Sequence, residues 1–422
     1  MRVVGIVLPL VLAAAAAALL CAAAAFSPAT QPARATCKGE DGYAAAFGGR
    51  RTFLLQPDQL TAIKAVRDTD PVVSAAYRKL LRQADAALAR RPGAVTDKTT
   101  LPPSGDRHDY LSIAPYWWPV PGNPDAPYVR RDGEFNPARD TGSYDRTAIG
   151  RMSSDVRTLA LAYYYSDDPR YAIKAAQLIR TWFLDPATAM NPNANFAQAV
   201  RGREDGRAEG VLDTNAFQPV VDAIGLISPS RALTPAEGLA LESWFGRYVD
   251  WMLTSRNGRA EQAAKNNHGI WFDSQITHYA LFARRPAIAR NVVDQFAARR
   301  ISAQMEVDGR LPGELARTRS LHYSIFALMP AYDVAELAAC LGTDLWDFTD
   351  AQGRGLRKAT DFLAAYRGRL DAWPYKELRP EPKELDDLLT RAAWAWGPGT
   401  YPSKADTYPA ALEYRAGPAT PP

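Results

Sequence analysis

Two short clusters in the 422-residue chain hold side chains able to do chemistry together. Asn266-Asn267-His268-Gly269 puts two amides and an imidazole ahead of an aromatic stretch that carries Trp271 and Phe272. Imidazole is a proton-transfer group, and so is phenol. The same four residues also suit a plain turn and helix start, because Asn favours N-caps and Gly favours turns. The second cluster lies in Asp308–Ser324, where Arg317, Arg319, His322 and Tyr323 crowd together. If this segment is helical, Arg319 and Tyr323 share a face at i,i+4 and Arg317 points elsewhere. If it is irregular near Thr318, Arg317 and Tyr323 converge. A solvated basic face capped by Glu314 is the plainer alternative.

Several common chemistries lack their motifs. The chain has no Gly-x-x-x-x-Gly-Lys-Ser/Thr loop, no Gly-x-Ser-x-Gly elbow and no His-Glu-x-x-His, so nucleotide hydrolysis, serine hydrolysis and zincin chemistry have no support. His108, His268, His278 and His322 sit at no ligand spacing beside acids or cysteines, which speaks against a metal site.

The elements that must carry these clusters read as helices. Thr234-Pro235-Ala236-Glu237 supplies an N-cap, a proline at the first helical position and a capping-box acid. An apolar face of Leu241, Trp244, Phe245, Tyr248, Trp251 and Met252 follows. Asp168-Pro169 opens another helix, which Asp185-Pro186 stops. Similar stretches run near Pro57 to Ala89, Ser153 to Tyr165, Pro286 to Met305, Ser320 to Leu341 and Ala351 to Tyr366, and alternating strand patterns are scarce. Stacked helical hairpins fit, and a chain this long is able to close them into an α/α toroid. Three irregular stretches interrupt them: Asp109 to Pro137, Met190 to Thr214, and Lys265 to Gln275. Long polar loops on a helical frame are where sites usually sit.

A charged fraction of 23% with 47% hydrophobic residues is globular composition and argues against disorder. The net charge of +4 gives no nucleic-acid footprint. Arg2 ahead of an apolar run from Val3 through Phe26, with small-residue cleavage sites at Ala23-Ala24-Ala25 and Ala33-Arg34-Ala35, reads as a signal peptide over 1–25. The run is also long enough for an uncleaved anchor. Residues 26–49 read as a flexible linker, 50–415 as the folded domain and 416–422 as a disordered tail. The mature chain keeps Cys37 and Cys340. They could pair in an oxidising compartment, but nothing in the sequence brings them together.

Five motifs, read in order, carry a resemblance. Pro-Tyr-Trp-Trp-Pro, Tyr-Val-Arg-Arg-Asp-Gly-Glu-Phe-Asn-Pro, Met-Asn-Pro-Asn-Ala-Asn-Phe-Ala-Gln, Asn-Asn-His-Gly-Ile-Trp-Phe-Asp and Asp-Gly-Arg-Leu-Pro-Gly-Glu-Leu-Ala-Arg span roughly Tyr110 to Leu345. Together they resemble the alginate lyase superfamily, secreted or periplasmic enzymes that cleave uronic-acid polymers by β-elimination. The resemblance implies an all-α fold, an incomplete α/α toroid with long irregular loops lining a groove. It implies Asn267 and His268 as an Asn-His pair, Arg317 as the site arginine and Tyr323 as the site tyrosine. Arg317 and Tyr323 stand one residue closer than in the alginate lyases, which keeps Arg319 in competition for the arginine role.

β-Elimination removes the C5 hydrogen beside a uronate carboxylate, so donors must neutralise the developing charge. Asn267 and Arg317 suit that task, and His268 and Tyr323 suit the base and acid roles. Trp117, Trp118 and Trp271 are expected to stack on sugar rings, with Arg130, Arg131, Arg203 and Arg207 pairing with uronate carboxylates beside Asn266. No cofactor or metal is required. The expected partner is an anionic polysaccharide, mannuronate-rich alginate first, with no nucleic acid and no stable membrane association after signal cleavage. Glucuronan lyase, a noncatalytic polysaccharide-binding protein, and a glycoside hydrolase with Asp273 and Glu314 as its acids are the competing readings.

Overall fold

The computed structural model describes Met1 and residues 35–123, 125–397, 400–401 and 412. The expected signal peptide, Met1 apart, and the expected tail lie outside the described residues. Proline opens seven of the helices named below at the first position, where its missing N–H costs nothing. The helices are α1 (Pro57–Val66), α2 (Pro71–Ala89), α3 (Arg146–Ser166), α4 (Pro169–Ile179), α5 (Gln218–Ile227), α6 (Pro235–Thr254), α7 (Arg256–Ala263), α8 (Asn267–Phe282), α9 (Pro286–Phe296), α10 (Pro312–Leu315), α11 (Ser320–Cys340), α12 (Leu356–Ala364) and α13 (Pro382–Trp396).

Caps set several of these boundaries. The stretch from Pro57 to Ala89 divides in two because Asp70 accepts hydrogen bonds from Val72 N and Val73 N, starting a new helix at Pro71. Asp168 caps α4 in the same way. On α6 the capping box forms, with Glu237 N donating to Thr234 Oγ1 at 3.2 Å and Thr234 N donating to Glu237 Oε2 at 2.8 Å.

The helices alternate between two layers. Inner helices α3, α5, α8 and α11 pack in succession, and α2, α4, α6, α9 and α12 pack outside them. This is the helical-hairpin arrangement of an α/α toroid, the architecture expected from the sequence. The inner position explains the burial: every residue of α8 is buried except His268. Between layers, Phe183, Phe217, Trp244, Phe245 and Tyr248 interlock with ring centroids 4.8–6.2 Å apart. Each such side chain contributes roughly 1.5–3 kcal/mol by leaving water.

The irregular stretches supply short strands. Strand β1 (Leu111–Ile113) pairs in parallel with β4 (Phe196–Ala199), and β2 (Trp117–Trp118) pairs antiparallel with β3 (Val129–Arg130). The sequence reading of 26–49 as a flexible linker needs correction over its second half. Cys37, Tyr43 and Phe47 are buried in the main core, and Cys37 is disulfide-bonded to Cys340 at the end of α11. The packed domain therefore begins near Ala35 and not at 50.

Candidate active site

A cavity of about 730 Å³ opens where the irregular stretches meet the N-terminal ends of α8 and α11. Asn266 caps α8, its side chain accepting from His268 N at 3.2 Å. Asn267 is clamped by the buried Glu314 of α10: its N donates to Oε1 at 2.6 Å and its Nδ2 donates to Oε2 at 2.7 Å. This fixes the amide and leaves Asn267 Oδ1 buried without a hydrogen-bond partner. Gly269 follows because no Cβ fits there; one would lie 2.2 Å from Ala264 O and 2.3 Å from Arg300 Nη1.

His268 projects into the cavity with its Nδ1 2.6 Å from Oε1 of Glu261, a buried carboxylate on α7. With Nδ1 committed, Nε2 is the nitrogen left for a ligand. Burial pulls the His268 pKa down, but the charge and hydrogen bond of Glu261 outweigh it, Glu209 adds to the rise and Arg207 opposes it, so the net direction is up.

Arg317 and Tyr323 do converge, because the chain between them is irregular. Residues Thr318–Ser320 run beside 376–378, with Ser320 N donating to Lys376 O and Leu378 N to Thr318 O. That extended step turns Arg319 toward Glu377, where it is buried and absent from the cavity wall. Arg317 lies on the other side, its guanidinium 3.7 Å from the Tyr323 ring centroid. Asp132 holds it through Nε at 3.2 Å and Nη2 at 2.7 Å, and Nη1 takes no part in that pair. Burial raises the Asp132 pKa, but Arg317 and Thr318 win and hold it to about 2. Tyr323 Oη is 2.5 Å from Tyr116 Oη. Burial, reinforced by Tyr116 and opposed by Arg317, pushes the Tyr323 phenol well above its ordinary value.

The remaining expected residues divide. Trp117, Arg130, Arg203, Arg207 and Asn266 line the cavity. Arg203 and Arg207 lie over the Trp117 ring at 5.2 and 6.0 Å. Trp118 and Arg131 do not line it; they stack on each other at 5.2 Å, with Trp118 Nε1 donating to Glu134 O. Trp271 is a correction of the same kind. It is buried against Phe326 behind Tyr323 and supports the site from below. The acids weighed for hydrolysis are also occupied: Asp273 is in a buried pair with Arg300, and Glu314 holds Asn267.

Sequence reasoning passed over Tyr116, Glu261, Arg139, Arg146, Gln198 and Asp213, all of which line the cavity. Asp213 accepts from Tyr110 Oη at 3.0 Å, Ser112 Oγ at 2.5 Å and Gln198 Nε2 at 3.0 Å. Gln198, at φ +50°, in turn accepts from Arg207 Nη2 at 3.0 Å, so a buried carboxylate positions a cavity arginine through one amide. The Gln-Asp contact at β4 had no signal short of the fold.

A helical-hairpin toroid whose cavity gathers an Asn-His pair, an arginine and a tyrosine defines a polysaccharide lyase. The alginate lyase family model matches residues 94–373, and the chain belongs to that family. An alginate lyase from Bacteroides ovatus is similar in structure at a TM-score of 0.79, with 39% identity over 88% of this chain and 97% of that one. Alginate lyase A1-III from Sphingomonas species A1 shares the fold at a TM-score of 0.53 and 17% identity, over 85% of this chain and 94% of that one. A polysaccharide lyase of Stenotrophomonas maltophilia (strain K279a) is 25% identical over 235 residues, 54% of this chain and 66% of that relative's length.

Proposed function

We propose that the protein cleaves a uronic-acid polymer by β-elimination, with mannuronate-rich alginate as its first substrate, leaving an unsaturated uronate at the new non-reducing end. The observation that carries the reading is the Arg317 guanidinium stacked on Tyr323 in the cavity that also receives Asn267 and His268. Six arginines against four acids line that cavity, which suits a polyanion.

In this reading the substrate carboxylate lies among Asn267 Nδ2, Arg317 Nη1 and the His268 ring. Glu261 biases His268 toward the imidazolium, and a positive charge there lowers the cost of the C5 carbanion. In mannuronate the C5 hydrogen and the departing O4 lie on one face, so one group can serve both. Burial keeps the resting Tyr323 phenol protonated, so the base is its minor phenolate form, which Arg317 stabilises. That form takes the C5 proton, the C4–O4 bond breaks as the C4–C5 double bond forms, and the same proton passes from Tyr323 to O4. Tyr116, hydrogen-bonded to Tyr323, orients the phenol throughout. The Cys37–Cys340 disulfide supports an oxidising location and so an exported protein, periplasmic or secreted.

The test is to incubate the protein with polymannuronate, polyguluronate and glucuronan while recording ultraviolet absorbance. Elimination creates a conjugated chromophore, and a rise fastest on polymannuronate is expected. A rise on glucuronan alone would move the substrate to that polymer on the same frame. No rise on any of the three would leave a binding protein.

A further inference from the structure

Arg139 and Arg146 each line two cavities. Beyond the catalytic one they border a second, of about 640 Å³, together with Arg90, Phe135, Asp140 and Arg151. Arg139 is only 5% exposed and lies over the Phe135 ring at 5.3 Å. Its Nε is 3.3 Å from Asp140 Oδ1 but has no hydrogen-bond partner. Nε itself is enclosed, but the buried Arg139 guanidinium borders both cavities, and an anion there would offset the cost of burying its charge. On the outer rim, Arg90 is engaged by Asp155, whereas Arg151 is exposed on α3 and makes no ion pair among the described residues. Four arginines against two aspartates leave the second cavity with a formal excess of two positive charges.

We propose that this second cavity is a subsite for a further uronate unit of the same polymer, with Arg151 as its outer carboxylate contact and Arg139 bridging it to the catalytic cavity. The proposal rests on the uronan reading above. It gives the enzyme a grip on the chain away from the cleaved bond, where binding energy helps hold the reacting sugar.

The test uses two substitutions at exposed positions on α3, Arg151→Glu for charge and Ser154→Tyr for volume, each with a thermal melt as a folding check. Each is combined with Tyr323→Phe and titrated calorimetrically with oligomannuronates of increasing length. The short oligomers are expected to bind with unchanged Kd, and those long enough to reach the second cavity to lose about tenfold. Affinity that is unaffected at all lengths, or reduced equally at all lengths, overturns the subsite. Weaker binding of the short oligomers with no change for the long ones also overturns it, making the cavity a product site. A wild-type protein that releases no unsaturated ends, with the length-dependent loss still present in the two variants, sinks the lyase reading and keeps the subsite.

Discussion

Glu261 on α7 holds His268 on α8 through a 2.6 Å contact between Oε1 and Nδ1, with the carboxylate 1% exposed. The His268 pKa is raised, so the imidazolium persists to higher pH than in a free histidine and is lost as pH rises through the raised value. If His268 acts as a cation at the substrate carboxylate, kcat/KM falls through that pH. Glu261→Gln removes the two largest causes of the rise, leaving burial and Arg207 to lower the pKa against Glu209 alone, so the fall should shift to lower pH. The pH–rate profile decides it. A limb that rises with pH and moves down in Glu261→Gln would make His268 the base instead.

Tyr323→Phe removes the group that carries the proton and should cut kcat by at least about 10³-fold while polymer binding changes little. Tyr116→Phe removes only the hydrogen bond that orients it, and a loss of about tenfold in kcat is expected. Single-turnover rates with parallel binding measurements check both. Ordinary turnover in Tyr323→Phe would remove it from the acid–base role.

Glu314 holds Asn267 by two hydrogen bonds. Glu314→Ala leaves both donors buried and unpaired, which costs about 1–3 kcal/mol in stability. It also frees the amide, so kcat should drop about 10- to 100-fold. Glu314→Gln, which retains an acceptor, should recover most of the stability and less of the rate. Denaturant melts beside steady-state kinetics separate the two effects.

The Cys37–Cys340 bond ties the first packed segment to the end of α11 across 303 residues of sequence. Loss of such a cross-link costs about 2–5 kcal/mol. Cys37→Ser with Cys340→Ser should lower Tm while leaving KM unchanged, because neither residue borders the catalytic cavity. A changed KM at unchanged Tm would contradict this.

Much of this molecule is legible locally. Helix starts at Pro169 and Pro235 follow from a capping residue and a proline, both short-range signals, and Asp70-Pro71 carries the same signal inside a stretch that reads as one from Pro57 to Ala89. Closeness in sequence marks out the two clusters, but it is the family resemblance that picks Asn267, His268, Arg317 and Tyr323 from among their neighbours, and the cavity receives all four. What failed was tertiary. Trp271 and Trp117 look alike in sequence, yet one lies on an inner helix buried on all sides and the other on a loop strand. Arg319 and Arg317 are two residues apart, and only the pairing with 376–378 sends them to opposite sides. Glu261, Tyr116 and Asp213 reach the site from separate elements, and Cys37 meets Cys340 through the packing of a segment whose composition resembles a linker.

The central claim is that the cavity performs elimination and not hydrolysis, and the mass of the product tests it most directly. After digestion of polymannuronate, oligomers one water lighter than the hydrolysis products are expected from the wild-type protein and none from Tyr323→Phe. Fully hydrated oligomers, or undigested polymer from the wild-type protein, would contradict it.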